Sequence, residues 1–485
     1  MRKRFEIQYE LGATPIENLE IPLRSRDEMP PVLRALQYIY TTPELNQGVF
    51  DILEAKVLHG KKKTGRQGMT LWEILVLATV RLARDVDYDA LHYMSNSDMN
   101  IRGLLGICKF GKTAREYSLQ SLKDNIGLLD DEMLEQINDL VVEAGHQLIK
   151  KKDEKLNVKV DSYVLETTVR FPTDINLLFD AARKSLQLAQ RLAVAFRLPG
   201  WRKAQYWINQ FKSHARQVGK LFFSGGKNKQ EKLQQATRAY LQLARQLSQK
   251  LDVAEVDFQA IEQASDKQKA LLDELKYFKG HLDNQIHLVI RRILFGETIP
   301  HAEKVFSLFE PYTEWIQKGK AGKRQELGLK LAIATDQFGF ILSRKLMQKQ
   351  HDKDLAVPMA KAILEKYEVQ SMSFDKNYWT PKNYETLSEL VPDLILPKKG
   401  KLNGDEYERE HCKTFIALRK QHSAVESAIN CLEHHGLNRC PDRGLSHFKK
   451  YAALGILACN LHKIGNLLQE KERKKSKNKP LRKAA

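Results

Sequence analysis

Several features that mark other classes of protein are scarce in this sequence of 485 residues. Its five cysteines include no C-x-x-C pair, so we expect reduced thiols in a cytoplasmic protein, with neither a disulfide framework nor a zinc site. They are Cys108, Cys412, Cys431, Cys440 and Cys459. No apolar run reaches the roughly 18 to 20 residues that span a bilayer. The segment MRKRFEIQYELG lacks the apolar stretch of a signal peptide, so we expect no membrane anchor and no export.

Acidic residues are also fewer than basic ones. There are 60 Asp and Glu against 79 Lys and Arg, which gives a net charge of +19 and a sequence pI near 9.4. Neutralisation of phosphates by Lys and Arg releases condensed counterions, so this surplus favours a nucleic-acid partner. A merely basic soluble protein and a protein bound to an anionic membrane are the alternatives.

The N-terminal third has helical periodicity. After Thr70, a plausible N-cap, apolar residues recur at helical spacing, and shorter helices are predicted near 88–95, 98–105, 118–126 and 130–149. Short helices with tight connections are typical of a helix-turn-helix-like DNA-binding domain, and also of other helical bundles. The preceding basic loop either lies against phosphates or is simply solvated. It contains Lys61, Lys62, Lys63 and Arg66.

Strand patterns begin near residue 156. Leu156, Val158 and Val160 alternate with polar residues and predict a strand that ends at Asp161. Residues 326–347 predict a hairpin with its turn at 336–339, and further strands are predicted at 369–375 and 393–400. A helix is predicted to begin near 412 and to carry Glu426. This mixture of strands and helices predicts an α/β protein.

Residues 177–325, by contrast, are predicted to be helical, with Gly and Pro breaks at 198–200 and 224–226 and a wet, basic face. Trp201 could stack on a base, although core packing is the better default for a tryptophan. The segment 466–485 has eight Lys or Arg residues against two Glu and predicts a basic, disordered tail.

Three carboxylates stand where a metal site could form. Asp161 and Asp375 end predicted strands, and a helix packed beside the strands could direct Glu426 into the same space. Oxygen ligands suit Mg²⁺ or Mn²⁺, and two such ions roughly 3.5 to 4 Å apart can catalyse phosphoryl transfer. With 60 acidic residues in the chain, however, position alone cannot select this trio.

Four segments together resemble DDE insertion-sequence transposases, particularly the ISNCY type. VDSYVLETTVRFPTD (160–174) is similar to the first catalytic block, and MSFDKNYWTPKN (372–383) to the second. LILPKKGK (394–401) resembles the strand before the third block. RKQHSAVESAINCLEHHGLNRCPDRG (419–444) resembles the glutamate helix and the turn after it. The likeness covers about residues 60–470.

The resemblance implies a ribonuclease H-like core at 151–176 and 326–465, interrupted by a helical insertion at 177–325 and preceded by an all-α DNA-binding region at 1–150. It also implies a catalytic trio whose members are 214 and 51 residues apart: Asp161 would bridge two Mg²⁺ ions, with Mn²⁺ as a substitute, while Asp375 and Glu426 would each hold one. The implied partners are terminal inverted repeats, a target duplex and, at synapsis, a second copy of the chain. The implied location is the prokaryotic cytoplasm, at the nucleoid.

The glutamate segment departs from the family pattern. Arg419, His422 and Glu433 stand where related enzymes often have Tyr, Arg and Lys. Arg419 and His422 precede Glu426 by seven and four residues, so both could contact phosphate from one helix face. Glu433 cannot replace a lysine, and Arg439 or Lys420 is the candidate for that role.

Other polar residues have ordinary interpretations that we favour. Glu166 could be a fourth ligand, but a solvent-facing strand residue is expected. In the segment His351 to Asp354, a helix cap at Asp352 or Asp354 is favoured over a metal site. Two histidines, His434 and His435, lie near Cys431 and Cys440, yet their spacing fits no usual structural zinc site.

Two other functions are compatible with the same core. A nonspecific nuclease would need neither the helical insertion nor recognition of DNA ends. A noncatalytic DNA-binding relic of a transposase would not need all three acidic residues.

Overall fold

The computed structural model describes residues 2–5, 14–22, 25–60, 68–107, 115–259, 265–317 and 325–477. The chain forms two compact units, one of Met1–Thr168 with Ile316–Ala485 and one of Val169–Trp315. We call these unit 1 and unit 2. The basic loop with Lys61, Lys62, Lys63 and Arg66 lies outside the described residues.

Unit 1 begins with helices. Their bounds are α1 (Met29–Thr41), α2 (Pro43–Val57), α3 (Leu71–Ala83), α4 (Tyr88–Ser97), α5 (Met99–Leu104), α6 (Leu119–Ile126) and α7 (Asp131–Ile149). The predicted N-cap at Thr70 is confirmed, because its side chain accepts from the N–H of Glu73 and the Glu73 carboxylate accepts from the N–H of Thr70. Every residue of α3 is buried, so this helix lies inside the unit.

The first strand, β1 (Leu156–Thr167), follows α7. It begins where expected but does not end at Asp161. Residues 159–166 pair with a later antiparallel strand, and these ladder bonds carry the strand past Asp161. Asp161 is therefore a mid-strand residue, and the expectation that it ends the strand is wrong.

Unit 2 is mainly helical, whereas residues 314–317 of the region that was predicted to be helical form a strand. It contains α8 (Asp174–Phe196), α9 (Ala204–Phe223), α10 (Lys229–Gln259) and α11 (Asp266–Val289). Apolar side chains from all four helices form one core, which includes Leu186, Phe211 and Tyr240. Trp201 also belongs to this core. The Nζ atom of Lys250 lies over its ring, 4.6 Å from the ring centre, which is a cation–π contact. The packing interpretation of Trp201 agrees with this position.

The other strands of the sheet begin at the last residues of unit 2 or follow it along the chain. They are β2 (Glu314–Gln317), β3 (Gln325–Thr335), β4 (Ile341–Met347), β5 (Val369–Phe374), β6 (Asp393–Ile395) and β7 (Arg439–Cys440). β6 stops at Ile395, five residues before the predicted end of that strand.

Strand β1 lies at the centre of the sheet. It pairs antiparallel with β3 and parallel with β5, while β4 extends the sheet beyond β3 and β6 extends it beyond β5. The predicted hairpin is confirmed: β3 and β4 are antiparallel, and Asp336 Oδ1 accepts from the N–H groups of Phe338 and Phe340 in the turn. This mixed arrangement confirms the predicted α/β class.

The remaining helices of unit 1 are α12 (Asp352–Leu364), α13 (Pro381–Leu390), α14 (Gly404–His411), α15 (Lys413–Gln421), α16 (Ala424–Leu432) and α17 (Leu445–Lys477). The single helix expected from 412 through Glu426 is thus two helices with a turn at 422–423. Helix α17 packs against α1, α3 and α7, and this packing keeps it helical through 466–477. That part of the tail is therefore helical, and the expectation that it is disordered is wrong.

Across the described ranges, none of the helices combines the length and the apolar character that crossing a bilayer requires.

Candidate active site

The site is centred on Asp161, in the middle of β1. Its Cα is in register with Ile333 of β3, and its Oδ1 accepts from the backbone N–H of Ser162 over 2.7 Å. Partial burial penalises the charged carboxylate and is the main reason that its pKa rises to about 6. The hydrogen bond from Ser162 acts in the opposite direction.

Other carboxylates act on Asp161 through space. The negative charges of Asp375 and Asp352 raise the pKa of Asp161 further, and so does that of Glu426. The effect of a like charge falls with distance. Residues far apart in sequence therefore influence one carboxyl group, and we call Asp161, Asp352, Asp375 and Glu426 the acidic cluster.

Asp375 follows the last residue of β5 and begins a short helical turn at Lys376–Tyr378. Its Oδ2 accepts from the side-chain amide of Asn377 at 3.2 Å. The guanidinium of Arg419 lies 3.6 Å from its Oδ1, with both side chains about one-third exposed. Asp375 is thus held at the edge of the sheet with a cation beside it.

Glu426 lies in the first turn of α16 and is exposed. The helix before it is attached to β5 by two contacts. Arg419 Nη1 donates to the carbonyl oxygen of Phe374 at 2.9 Å, and His422 Nδ1 lies 2.8 Å from the hydroxyl of Ser373. These contacts fix the entry of α16 relative to the strand that ends at Asp375.

His422 is buried, which bears on its expected contact with phosphate. Burial, with a smaller contribution from the charge of Arg419, lowers the pKa of His422 to about 4. The imidazole is therefore neutral near pH 7 and faces Ser373. Its position suits support of β5 better than a DNA contact.

The sequence interpretation missed Asp352. It favoured a helix cap here, and His351 and Asp354 do form the capping box of α12. Asp352 instead turns inward: its Oδ1 accepts from the Ser162 hydroxyl at 2.7 Å, and its Oδ2 pairs with Lys330 Nζ at 2.7 Å. No spacing in the sequence links Asp352 to Asp161, because the connection runs through the pairing of β1 with β3.

Tyr378 closes the inner side of the cluster. Its side chain is buried, and burial raises the pKa of its hydroxyl well above the usual range. The charges of Asp352 and Asp161 raise that pKa further. Tyr378 therefore stays neutral beside the carboxylates.

The donor chemistry of this cluster fits a hard divalent cation. Asp161, Asp375 and Glu426 offer only oxygen ligands, which Mg²⁺ and Mn²⁺ prefer. Burial first, and the nearby negative charges after it, raise the pKa of Asp161, and a bound cation would offset both effects.

Glu166 and Arg439 form an ion pair elsewhere on the sheet. Arg439 Nη2 lies 2.6 Å from Glu166 Oε2, where β7 pairs with the end of β1. This pairing occupies the carboxylate that could have been a fourth metal ligand. Arg439 remains about half exposed.

Unit 2 has a strongly basic segment between Arg197 and Lys250. The segment contains one acidic residue, Glu231, and twelve basic ones. The basic residues are Arg197, Arg202, Lys203, Lys212, Arg216, Lys220, Lys227, Lys229, Lys232, Arg238, Arg245 and Lys250. Most are exposed. Lys212, Arg216 and Lys220 lie on one face of α9, since they are spaced by four residues. We call the exposed basic side chains of residues 197–250 the basic face.

Exposed aromatic side chains accompany the basic face. On α9, Phe223 is 82% exposed and Tyr206 is 61% exposed, although apolar rings are usually buried. Cations interleaved with exposed rings are typical of surfaces that bind nucleic acid, where bases stack on aromatic side chains.

Comparison with known proteins gives one match. Residues 296–461 match the family model described as Transposase DDE domain. The match includes Asp375 and Glu426 and begins after Asp161. It supports a DDE transposase. Neither the curated proteins nor the solved structures contain a match.

Proposed function

We propose that this chain is a DDE transposase of the ISNCY type, which binds the terminal inverted repeats of an insertion sequence and catalyses DNA cleavage and strand transfer. The observation that carries the proposal is the pairing of β1 with β5, in which Val160 is in register with Phe374, so that Asp161 and Asp375 each follow a paired residue. Glu426 lies in the first turn of the helix whose entry is attached to β5 by Arg419 and His422. The family match over residues 296–461 supports the coarser part of the proposal, a DDE transposase.

Two Mg²⁺ ions, or Mn²⁺ in their place, would be held by the trio, with Asp161 shared and Asp375 and Glu426 each holding one ion. When bound, such ions activate the attacking oxygen and stabilise the leaving oxygen of a phosphoryl transfer. Arg419 positions the carbonyl before Asp375.

The reaction has two displacements at phosphorus. Water first breaks a phosphodiester bond at the end of the element and leaves a free 3′-hydroxyl. That hydroxyl then forms a new ester with a target phosphate, while the target strand loses its own 3′-oxygen from that phosphate. One P–O bond forms as another breaks in each step, so the chain itself needs no covalent nucleophile.

DNA would contact the basic face of unit 2, and also the loop with Lys61, Lys62, Lys63 and Arg66. We expect a homodimer when two ends are brought together, acting at the nucleoid in the cytoplasm. Arg439 is half exposed and remains a candidate DNA contact.

The test uses the purified full chain with a labelled duplex of the element's end. D161N, D375N and E426Q should each bind the duplex but cleave it at least about a hundredfold more slowly with Mg²⁺, because metal-ion stabilisation of the transition state contributes several kcal/mol. E389Q, which alters an exposed carboxylate of α13, should cleave at the wild-type rate.

Wild-type cleavage or strand transfer by D161N would reject the proposed role of Asp161. Equal cutting of a scrambled duplex by the wild-type chain would indicate a nonspecific nuclease instead. Specific binding of the end duplex without any cutting would indicate a noncatalytic relic.

A further inference from the structure

A second cluster of side chains with metal-binding chemistry lies away from the acidic cluster. Cys431 of α16, His435 of the turn that follows, and Cys459 of α17 each offer a ligand atom, and these atoms all lie within 4.8 Å of one another. The two sulfur atoms are 2.7 Å apart. Cys440, which the sequence had suggested as the neighbour of Cys431, instead contacts the carbonyl of Asp442.

His462 is the candidate for a fourth ligand, outside the three residues whose ligand atoms lie within 4.8 Å of one another. It lies three residues after Cys459 on α17, and its ring centre is 5.3 Å from that of His435, with the two planes at 79°. The imidazole of His462 also acts on the Cys431 thiol. The donors therefore come as two pairs, Cys431-x3-His435 and Cys459-x2-His462, and each pair spans about one helical turn.

The ring of His435 is oriented as in known zinc sites. It is 1% exposed, and its Nδ1 lies 3.2 Å from the carbonyl oxygen of Ala83, at the end of α3. A carbonyl can only accept, so Nδ1 carries a proton, which leaves Nε2, once deprotonated, as the nitrogen that can bind a metal. A histidine that ligates a metal almost always has its other nitrogen held in this way.

Thiolate is the form in which both cysteines would bind a metal ion. A disulfide between Cys431 and Cys459 is the competing use of the two sulfurs, but it would leave two imidazoles directed at a bond that needs neither.

We propose that Cys431, His435, Cys459 and His462 bind one structural Zn²⁺ ion. Two thiolates and two imidazoles in a closed tetrahedral set are a common structural zinc site. With Zn–S bonds of ~2.3 Å, the two sulfurs must move from 2.7 Å to ~3.8 Å apart when the ion binds.

Such an ion would fix the helix that carries Glu426. Cys431 lies five residues after Glu426 on α16, and Cys459 and His462 lie on the long, largely buried α17. A zinc ion would tie these two helices together, while His435 connects the site to the end of α3. The glutamate at the start of α16 would then be held from both ends of its helix, by the ion and by the contacts of Arg419 and His422.

The first experiment measures the metal content of the full chain, purified with a reductant from medium that contains zinc. We expect about one zinc per chain in the wild type and in C412S, whose serine retains the N-cap position of α15. C431S should lose at least about nine-tenths of the zinc, because a neutral hydroxyl replaces a thiolate ligand. D161N/D375N should retain it, which separates this site from the acidic cluster.

A second measurement needs no variant and so does not depend on the folding of C431S. Cobalt added to the zinc-free wild-type chain should produce a thiolate-to-cobalt charge-transfer band and the intense visible bands of a tetrahedral ion. Wild-type protein without zinc and without these bands would overturn the proposal, as would full retention of zinc by C431S. A Cys431–Cys459 disulfide found in freshly purified wild-type chain, detected by alkylation and mass spectrometry, would also overturn it.

Discussion

The hydroxyl of Ser162 donates a hydrogen bond to Oδ1 of Asp352 over 2.7 Å, and so joins the central strand to a helix 190 positions later in the chain. The backbone N–H of the same serine donates to Asp161. One residue thus supports two neighbouring carboxylates, and the environment of Asp161 depends on Asp352 as well as on the predicted trio.

Asp352 is buried and depends on Lys330 for its counter-charge. Lys330→Met should lower the free energy of unfolding by about 1–3 kcal/mol, because it leaves a buried carboxylate with one partner fewer. Urea unfolding near neutral pH measures the change. Lys345→Met, on the neighbouring strand β4 but exposed, is the control and should change stability by less than about 0.5 kcal/mol. Equal effects of the two substitutions would contradict the pairing.

The raised pKa of Asp161 predicts a pH-dependent stability. A carboxyl whose pKa rises on folding, here to about 6, favours the folded state at low pH, and this contribution is lost as pH rises through about 6. Without added magnesium or manganese, Asp161→Asn should therefore stabilise the chain relative to the wild type by up to about 3 kcal/mol at pH ~8. The difference should be much smaller at pH ~4.

Urea unfolding at several pH values gives this difference directly. His422, whose pKa is lowered, also titrates in this range, but it is common to both proteins and does not affect the comparison. A difference between Asp161→Asn and the wild type that does not vary with pH would show that Asp161 has an ordinary pKa.

The basic face predicts a salt-dependent affinity for DNA. Lys212→Gln, Arg216→Gln and Lys220→Gln combined should weaken binding of a random duplex and reduce the slope of log affinity against log salt by up to about 2.7, or about 0.9 for each lost phosphate contact. Fluorescence anisotropy over a salt series measures both quantities.

The control removes the same number of charges from α11 of the same unit, with Lys267→Gln, Lys269→Gln and Lys276→Gln. All three of these lysines are exposed but lie outside the basic face. If both triple variants lose the same slope, net charge alone explains the binding and the basic face has no special part in it.

Gly436, in the turn after α16, should not tolerate a side chain. Its φ is +81°, and a Cβ would overlap the Asp85 carboxylate and lie 2.7 Å from the Tyr451 hydroxyl oxygen. Gly444 has a similar φ of +85°, yet its nearest neighbour would be 3.8 Å away. Both alanine substitutions should lower the free energy of unfolding by about 1–2 kcal/mol, because alanine disfavours a positive φ. Gly436→Ala should lower it by about 1–3 kcal/mol more, because its Cβ overpacks the turn.

Thermal unfolding of the two variants separates these effects. Equal loss of stability would mean that the turn moves freely enough to accept the extra carbon. Because His435 precedes Gly436, the zinc content of Gly436→Ala should fall together with its stability.

Local patterns in the sequence were enough for much of the fold. The capping residues around α3, the hairpin turn at Asp336 and the helical periodicity of unit 2 depend on neighbours along the chain, and all three are present. The end of β1 and the break before α16 could not be predicted in the same way. Both depend on pairing and packing with elements that are distant in sequence.

The acidic cluster was only partly predictable. Asp161, Asp375 and Glu426 were singled out by a family resemblance, whereas Asp352 has no motif and is identified only by its contacts with Ser162 and Lys330. Cys440 is the cysteine nearest to Cys431 in the sequence, whereas Cys459 is the one whose sulfur lies beside that of Cys431 in the structure. The usable signal was a pair of one-turn spacings, Cys431 with His435 and Cys459 with His462.

The position of β1 at the centre of the sheet has a consequence for synthesis on the ribosome. Its two main neighbours, β3 and β5, are both encoded after unit 2, so the strand leaves the ribosome well before either edge can be paired. Unpaired strand edges favour association with other chains, and long-range pairing is slow. A nascent chain must therefore protect β1 while about 150 further residues are translated. Fast, independent folding of the helical unit would bring the two ends of that segment closer and so help β3 to pair with β1.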